Sequence, residues 1–359
     1  MFWLGAIASL CYVPGVTGAY IATQWPLLAV VLPFALWRTG PLNWLHGLGV
    51  LFILYAAARI PFSPLPDAGV FGVWLLVIMG LCVWFGTTAT SLRELYAGLA
   101  VGASVSSALA VAQFFGFNPV AAGPYVSSAV PGLYVNSVQQ GAILAVLIVA
   151  LVSERMWLWV PALVPGLVLA GSRGAWVALA VGLLACKVRR LWVFGLVGAA
   201  GAFYLLTPLS SSDQLRVFIW QTAWDNLSLF GFGPGMFYTL VMQRSGESFY
   251  PEHAHNDALQ LVFEYGVAAV LPLVIFAAAL RRTDAKEWPA VVAFIAAGCY
   301  SMALYIPLVS FLALASVGRI LRTYGMARDH SGYGRLNVVS RRDDGEETSC
   351  GTVPVAPNY

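Results

Sequence analysis

The sequence predicts an all-α polytopic membrane protein of about twelve transmembrane helices, with a large loop between the ninth and tenth. Three observations predict it. The 359 residues are 60% hydrophobic and only 10% charged, with a mean hydropathy of +0.79; a soluble domain carries about 25% charged residues. Apolar runs approaching the length of a bilayer span recur along almost the whole chain, instead of the short alternating segments of a membrane β-barrel. Lysine and arginine gather at alternate connections between those runs, as the positive-inside rule requires.

Taken in order, the apolar segments fall at 2–20, 22–37, 43–60, 69–87, 92–116, 136–153, 156–171, 174–187, 190–207, 257–280, 287–304 and 305–321. A span takes about 20 apolar residues; several of these are shorter, and the last pair is divided near Pro307. The first segment lacks a basic n-region and a clear cleavage site, so it reads as a retained helix. No internal repeat is visible. With the N-terminus cytoplasmic, the inner connections carry Arg38, Arg93, Arg155, Lys187, Arg189, Arg190, Arg281, Arg282, Lys286, Arg319 and Arg322, and the outer ones only Arg59, Arg173, Arg216 and Arg244. Eleven against four places both termini in the cytoplasm.

This divides the chain into a transmembrane domain, 1–323, and a polar, Gly-rich cytoplasmic tail, 324–359, expected to be disordered. Two outer loops are long, 117–135 and 208–256, and loops of that length in a compact protein are often functional. Within the second, RVFIWQTAWDNL (216–227) predicts a short amphipathic helix and GFGPG (231–235) a turn. The five cysteines, Cys11, Cys82, Cys186, Cys299 and Cys350, are scattered without a C-x-x-C pair and suggest neither a disulfide framework nor a zinc site. A formal charge of +3 gives no reason to expect a nucleic-acid partner.

The charge that the chain does carry on its outer face is concentrated. In PEHAHNDALQLVFEYG (251–266), Glu252, His253, His255 and Asp257 crowd the mouth of an apolar segment, and Glu264 lies within it. Asn256 or Asp257 suits the N-cap of the helix that follows. His255 would then stand at a helix N-terminus, where the dipole disfavours imidazolium; a neutral imidazole is what a general base needs near pH 7. Asn256, Gln260 and Glu264 recur at i, i+4 and i+8, a polar stripe that should face a cavity or the bundle interior. Glu264 either orients groups there or pairs with an arginine. The H-A-H run is alternatively a solvated loop. No metal is expected, because neither H-E-x-x-H nor Cys/His ligand spacing is present.

Arg173 sits in GSRGAW, between two apolar segments, and the flanking glycines predict a tight turn that holds its guanidinium at the outer rim. Snorkelling is the plain alternative. Arg216 opens the amphipathic stretch, where a solvated charge is the plain alternative. A guanidinium binds phosphate oxygens through a planar fork and keeps its charge, so two on one face suit a diphosphate.

The SRGAW turn, then Arg216 with Ile219 and Trp220, then GFGPGMF (231–237), then HAHND…L…EYG (253–266) resemble, in that order, the motifs of bacterial O-antigen ligases and related polymerases. GLYVNSVQQG (132–141) is similar to that family's G-x-F-x-N-x-N segment, with Tyr134 for the aromatic and no second asparagine. The likeness covers roughly 130–270. It implies a metal-independent, inverting, GT-C-like glycosyltransferase of the bacterial inner membrane with a periplasmic site and no cofactor. The donor would be a glycan on undecaprenyl diphosphate. The acceptor would be a hydroxyl of lipid A–core in a ligase, or another lipid-linked glycan in a polymerase. A pilin-glycosylating relative and a non-catalytic transporter of lipid-linked glycans are further readings; a transporter would favour inverted repeats and broken helices. By the same resemblance His255 is the base, Arg173 and Arg216 bind the donor diphosphate, and His253, Asn256 and Glu264 support them. His253 would position the acceptor or interact with Asp257. The chain is short for this family, which points to a restricted acceptor, a polymerase or a specialised transferase.

Overall fold

A computed structural model of the protein describes residues 1–10, 19–33, 42–117, 130, 132–134, 136–186, 211–237, 242–244, 247–249 and 253–332. These form a helical bundle of α1 (Phe2–Leu10), α2 (Ala19–Val31), α3 (Trp44–Arg59), α4 (Pro66–Thr88), α5 (Arg93–Phe114), α6 (Ser137–Ser153), α7 (Val160–Ala170), α8 (Arg173–Ala185), α9 (Ser211–Asp225), α10 (Asp257–Tyr265), α11 (Val270–Leu280), α12 (Trp288–Gly298) and α13 (Pro307–Gly332). Among the described residues, four stretches are long and apolar enough to cross a membrane: Trp44–Phe62, Pro66–Thr88, Arg93–Phe114 and Asp257–Leu280. Shorter apolar helices accompany them. The ninth expected segment, 190–207, lies outside the described residues.

Three boundaries differ from expectation. Ala19–Val31 is one helix, so the expected break between 20 and 22 is not there; nothing polar punctuates the run at that point. α12 stops at Gly298, and a 3-10 turn at Ala303–Tyr305 precedes α13, so the expected division near Pro307 is present but the preceding helix is shorter. The last helix continues through Gly332, so 324–332 is helical where a disordered tail is expected. The rest of the tail, 333–359, lies outside the described residues. An antiparallel hairpin, β1 (Met242–Arg244) with β2 (Glu247–Phe249), adds a small strand element to the loop.

α6 is the axis of the bundle. Its side chains from Gln139 to Val152 are all buried, as an apolar sequence with no polar face requires. Around it, helices approach through small residues, as apolar helices do when no polar face drives them together. A Cβ on Gly86 would stand 1.9 Å from the Ala315 carbonyl oxygen, and one on Gly98 would stand 2.0 Å from that of Phe2, so α4 crosses α13 and α5 crosses α1 nearly backbone to backbone.

The bundle has two distinguishable ends. At one, the α6 N-terminus packs on the turn between α7 and α8, where a Cβ on Gly141 would meet Ser172 and Ala175. The residues after α12 join that end, with Tyr300 against Gly174 and Leu304 bonded to Asp257. The opposite end gathers the start of α5, the end of α6 and the α11–α12 connection, where Ser153 donates to the Lys286 carbonyl.

The GFGPG turn explains why α10 stops at Tyr265. Gly231, Gly233 and Gly235 all have positive φ (66°, 105° and 69°). The amides of Phe232 and Gly233 donate to the carbonyls of Phe263 and Glu264, which the helix end leaves free. Gly266 (φ 55°) continues into a 3-10 turn before α11. Arg59 donates to the Gly231 carbonyl at 2.7 Å, so this arginine ties α3 to the loop. A Cβ on Gly231 would lie 2.3 Å from the Glu264 carbonyl oxygen, whereas one on Gly116 (φ 87°) would meet nothing among the described residues. Gly116→Ala should therefore cost only the left-handed strain, about 1–2 kcal/mol. Gly231→Ala adds a backbone collision worth about 1–3 kcal/mol more. Thermal unfolding in detergent should show the larger loss for Gly231→Ala; equal losses would mean that the turn yields.

Candidate functional site

The expected tight turn at Arg173 is present and has a local cause. Gly171 closes α7 in the left-handed region (φ 60°), and Ser172 opens α8, its Oγ accepting from the Ala175 amide at 3.4 Å. Arg173 is thus the first residue of α8. Its Nη1 donates to Asp213 Oδ2 at 2.7 Å. One turn further along α9, Arg216 Nη1 donates to Asp213 Oδ1 at 3.2 Å. The two predicted arginines therefore meet on the two oxygens of one carboxylate. Both are 18% exposed and Asp213 is 23% exposed, so the cluster is mostly screened from water but reachable. Among the described residues it carries two positive charges against one negative, and the buried Arg216 Nε has no hydrogen-bond partner there.

The H-A-H run is pinned through its middle residue. Trp220 Nε1 on α9 donates to the Ala254 carbonyl at 2.8 Å, and the Ala254 amide donates to Gln260 Oε1 at 3.1 Å. Asn256 is the N-cap of α10, its Oδ1 accepting from the Leu259 amide at 3.0 Å. Between these two anchors His255 adopts φ 52°, one of two non-glycine residues with positive φ among those described. Its buried Nδ1 has no hydrogen-bond partner among the described residues. Burial, then the positive charge of Arg216, then that of His253, lower its pKa to about 4. Burial also takes His253 to about 4, opposed by its hydrogen bond to Gln260.

The polar stripe on α10 turns inward, as expected. A backbone N–H can only donate, so the Ala254 amide fixes Gln260 with its oxygen toward it. The Gln260 Nε2 then faces His253 Nδ1 at 3.3 Å and donates to Glu264 Oε1 at 3.0 Å. His253 Nδ1 is thereby the acceptor, which puts its proton on Nε2. Glu264 is fully buried, and its Oε2 accepts from the Gly235 amide and the Tyr305 hydroxyl, each at 3.2 Å. Of the two roles expected for Glu264, orienting groups or pairing with an arginine, the described residues give it neutral donors and no arginine. His253 packs on the Tyr305 ring (centroids 4.8 Å apart) and bonds Gln260, while Asp257 accepts from the Leu304 amide at 2.8 Å.

Sequence reasoning missed Asp213 and Tyr305. The first had a signal, an acid three residues before Arg216 on an amphipathic helix; the second had none. A groove of about 760 Å³ runs between α9 and α10 beside the H-A-H run; Trp220, Trp224, Gln221, Asp225 and Asn256 line it. Arg244 lies on the hairpin strand β1. The weaker segment at 132–141 is held against α5: Gln113 brackets Gly132 through both its backbone groups, and Ser106 joins the Leu133 amide to Gln140.

The lowered histidine pKa values have a consequence for stability. Each imidazole favours the folded state only while neutral, so its contribution is complete above the ordinary value of 6.5 and is lost as pH falls toward 4. The unfolding midpoint should drop over that window. His255→Gln should flatten the drop, and an unchanged profile would contradict the burial of that imidazole. No known protein-family model matches the chain, and no curated protein matches it.

Proposed function

We propose that the protein is a glycosyltransferase similar to the O-antigen ligases. It would move a glycan from undecaprenyl diphosphate to a hydroxyl of lipid A–core at the periplasmic face of the bacterial inner membrane. One observation carries this reading: Arg173 and Arg216 share a single carboxylate, beside a neutral imidazole whose Nδ1 is unpartnered among the described residues. The ordered motifs support it: the GFGPG turn binds the end of the helix that HAHND opens, and Arg173 of SRGAW meets Arg216 on Asp213. The left-handed backbone of His255 supports it too, since such strain collects at functional sites.

The chemistry follows from these groups. Before donor arrives, Asp213 holds the two forks at the spacing of its own oxygens. The donor diphosphate takes over the forks, two phosphates for two guanidinium groups. The His255 imidazole removes the proton from the acceptor hydroxyl. The freed electron pair bonds to the anomeric carbon from the side opposite the diphosphate. The bond from that carbon to the phosphate oxygen breaks, and its electrons stay on the leaving diphosphate, whose charge the arginines stabilise. Attack from the opposite side inverts the anomeric centre. The indole-lined groove gives the acceptor sugar apolar platforms at Asn256, the residue after the base, with Gln221 and Asp225 for its hydroxyls.

Purified protein in liposomes, given a lipid-linked glycan with or without lipid A–core, tests the reading. Glycosylated lipid A–core supports the ligase, and lengthened lipid-linked chains obtained with donor alone would instead make the protein a polymerase. Movement of donor between leaflets with no new glycosidic bond would reduce it to a transporter.

A further inference from the structure

We infer that the end of the bundle opposite the candidate site binds the phosphodiester headgroup of an anionic phospholipid, between Arg93, Arg155 and Lys286. These residues open α5, follow α6 and precede α12, and with Ser153 and Glu154 they line a hollow of about 480 Å³. Among the described lining residues three cations face one carboxylate, and the neighbouring Glu287 pairs with Arg319 at 3.8 Å, so the lining keeps a net positive charge. Glu154 is 8% exposed and stands 3.9 Å from Lys286 Nζ, a separation too long for a firm hydrogen bond, while Lys286 is 73% exposed. The lysine is therefore available to an incoming phosphate. Ser153 donates to the Lys286 carbonyl, which fixes the α11–α12 connection against the end of α6.

Arg155 is the informative member. It has φ 59°, in the left-handed region, at the end of α6. The Arg155 amide donates to Val152 and the Met156 amide reaches back to Leu151 at 2.8 Å, the wrapped helix end that glycine ordinarily closes. A glycine would fit this backbone better, so the fold alone gives no reason for a long cation here. The following residues, Met156 to Trp159, carry Trp157, Trp159 and a Leu158 that is 95% exposed. Indoles beside an exposed leucine are what a chain presents where headgroups meet acyl tails. Basic hollows between helices at that depth bind phospholipid headgroups. The hollow is thus placed for a lipid whose phosphate lies among the cations and whose acyl chains run past Leu158.

The full-length protein in neutral detergent, with unfolding midpoints measured after adding cardiolipin, phosphatidylglycerol or phosphatidylcholine, tests this. The two anionic lipids should raise the midpoint and phosphatidylcholine should not. Arg155→Gly should fold at least as stably as the parent yet lose most of the anionic-lipid shift, and Arg93→Gln with Lys286→Gln should lose it as well. An undiminished shift in those variants, an equal shift with phosphatidylcholine, or the same shift from glycerol phosphate alone would overturn the assignment.

Discussion

His255→Ala is expected to reduce glycan transfer by about a thousandfold while donor binding stays within about twofold, because general bases contribute roughly 10²–10⁴ in rate. The side chain is not a structural keystone. Its Nδ1 bonds nothing among the described residues, and the run around it is pinned by Trp220 and Gln260 through the backbone of Ala254. Removing the imidazole also relieves Arg216 of a neighbouring titratable group, so donor affinity should hold or improve slightly. The parent should lose turnover in acid as the imidazole protonates. In the free protein that limb lies near pH 4. A bound diphosphate brings negative charge beside Arg216, which moves the limb upward toward neutrality. The alanine variant should show residual activity without this limb. Full activity in His255→Ala would remove the base from the mechanism.

Arg173→Ala and Arg216→Ala should each lower turnover by about 10²–10³-fold and weaken donor binding, the loss typical of one charge-stabilising donor to a leaving group. Either change leaves Asp213 with the other arginine, so the carboxylate is not stranded without a partner. Membrane insertion and the unfolding midpoint should therefore stay close to the parent. Arg→Lys at either position keeps the charge but loses the planar fork, and it should recover only part of the activity. Titration of donor binding separates the roles. A variant that keeps donor affinity and turnover would make its arginine a structural partner of Asp213 and nothing more.

What could be read from the sequence follows from how local each feature is. The N-cap at Asn256, the turn at Gly171 and the amphipathic helix around Arg216 are set by residues within a few positions, and they lie where expected. The inward stripe of Gln260 and Glu264 was legible from its spacing, but its partners were not. Tyr305 is 41 residues from Glu264 and Gly235 is 29 away, brought in by helix packing and by the glycine turn. Asp213 was overlooked for the same reason. Its bond to Arg173 joins residues 40 apart, across a stretch that composition alone reads as another apolar segment. The start of α2 and the end of α13 differ from expectation because neither an apolar run without punctuation nor a polar helical extension announces itself by hydropathy. The segregation of the described basic side chains is clearer. Arg93, Arg155 and Lys286 line one end, while Arg173 and Arg216 meet at the other, as the alternation of charge along the chain required.

The most direct test is a structure determined with undecaprenyl diphosphate bound. The account predicts its phosphate oxygens within hydrogen-bond distance of both the Arg173 and Arg216 guanidinium groups, Asp213 released from at least one of them, and the His255 ring facing the carbon-bearing end of the diphosphate. A diphosphate seated elsewhere, with the Arg173–Asp213–Arg216 cluster intact, would contradict it.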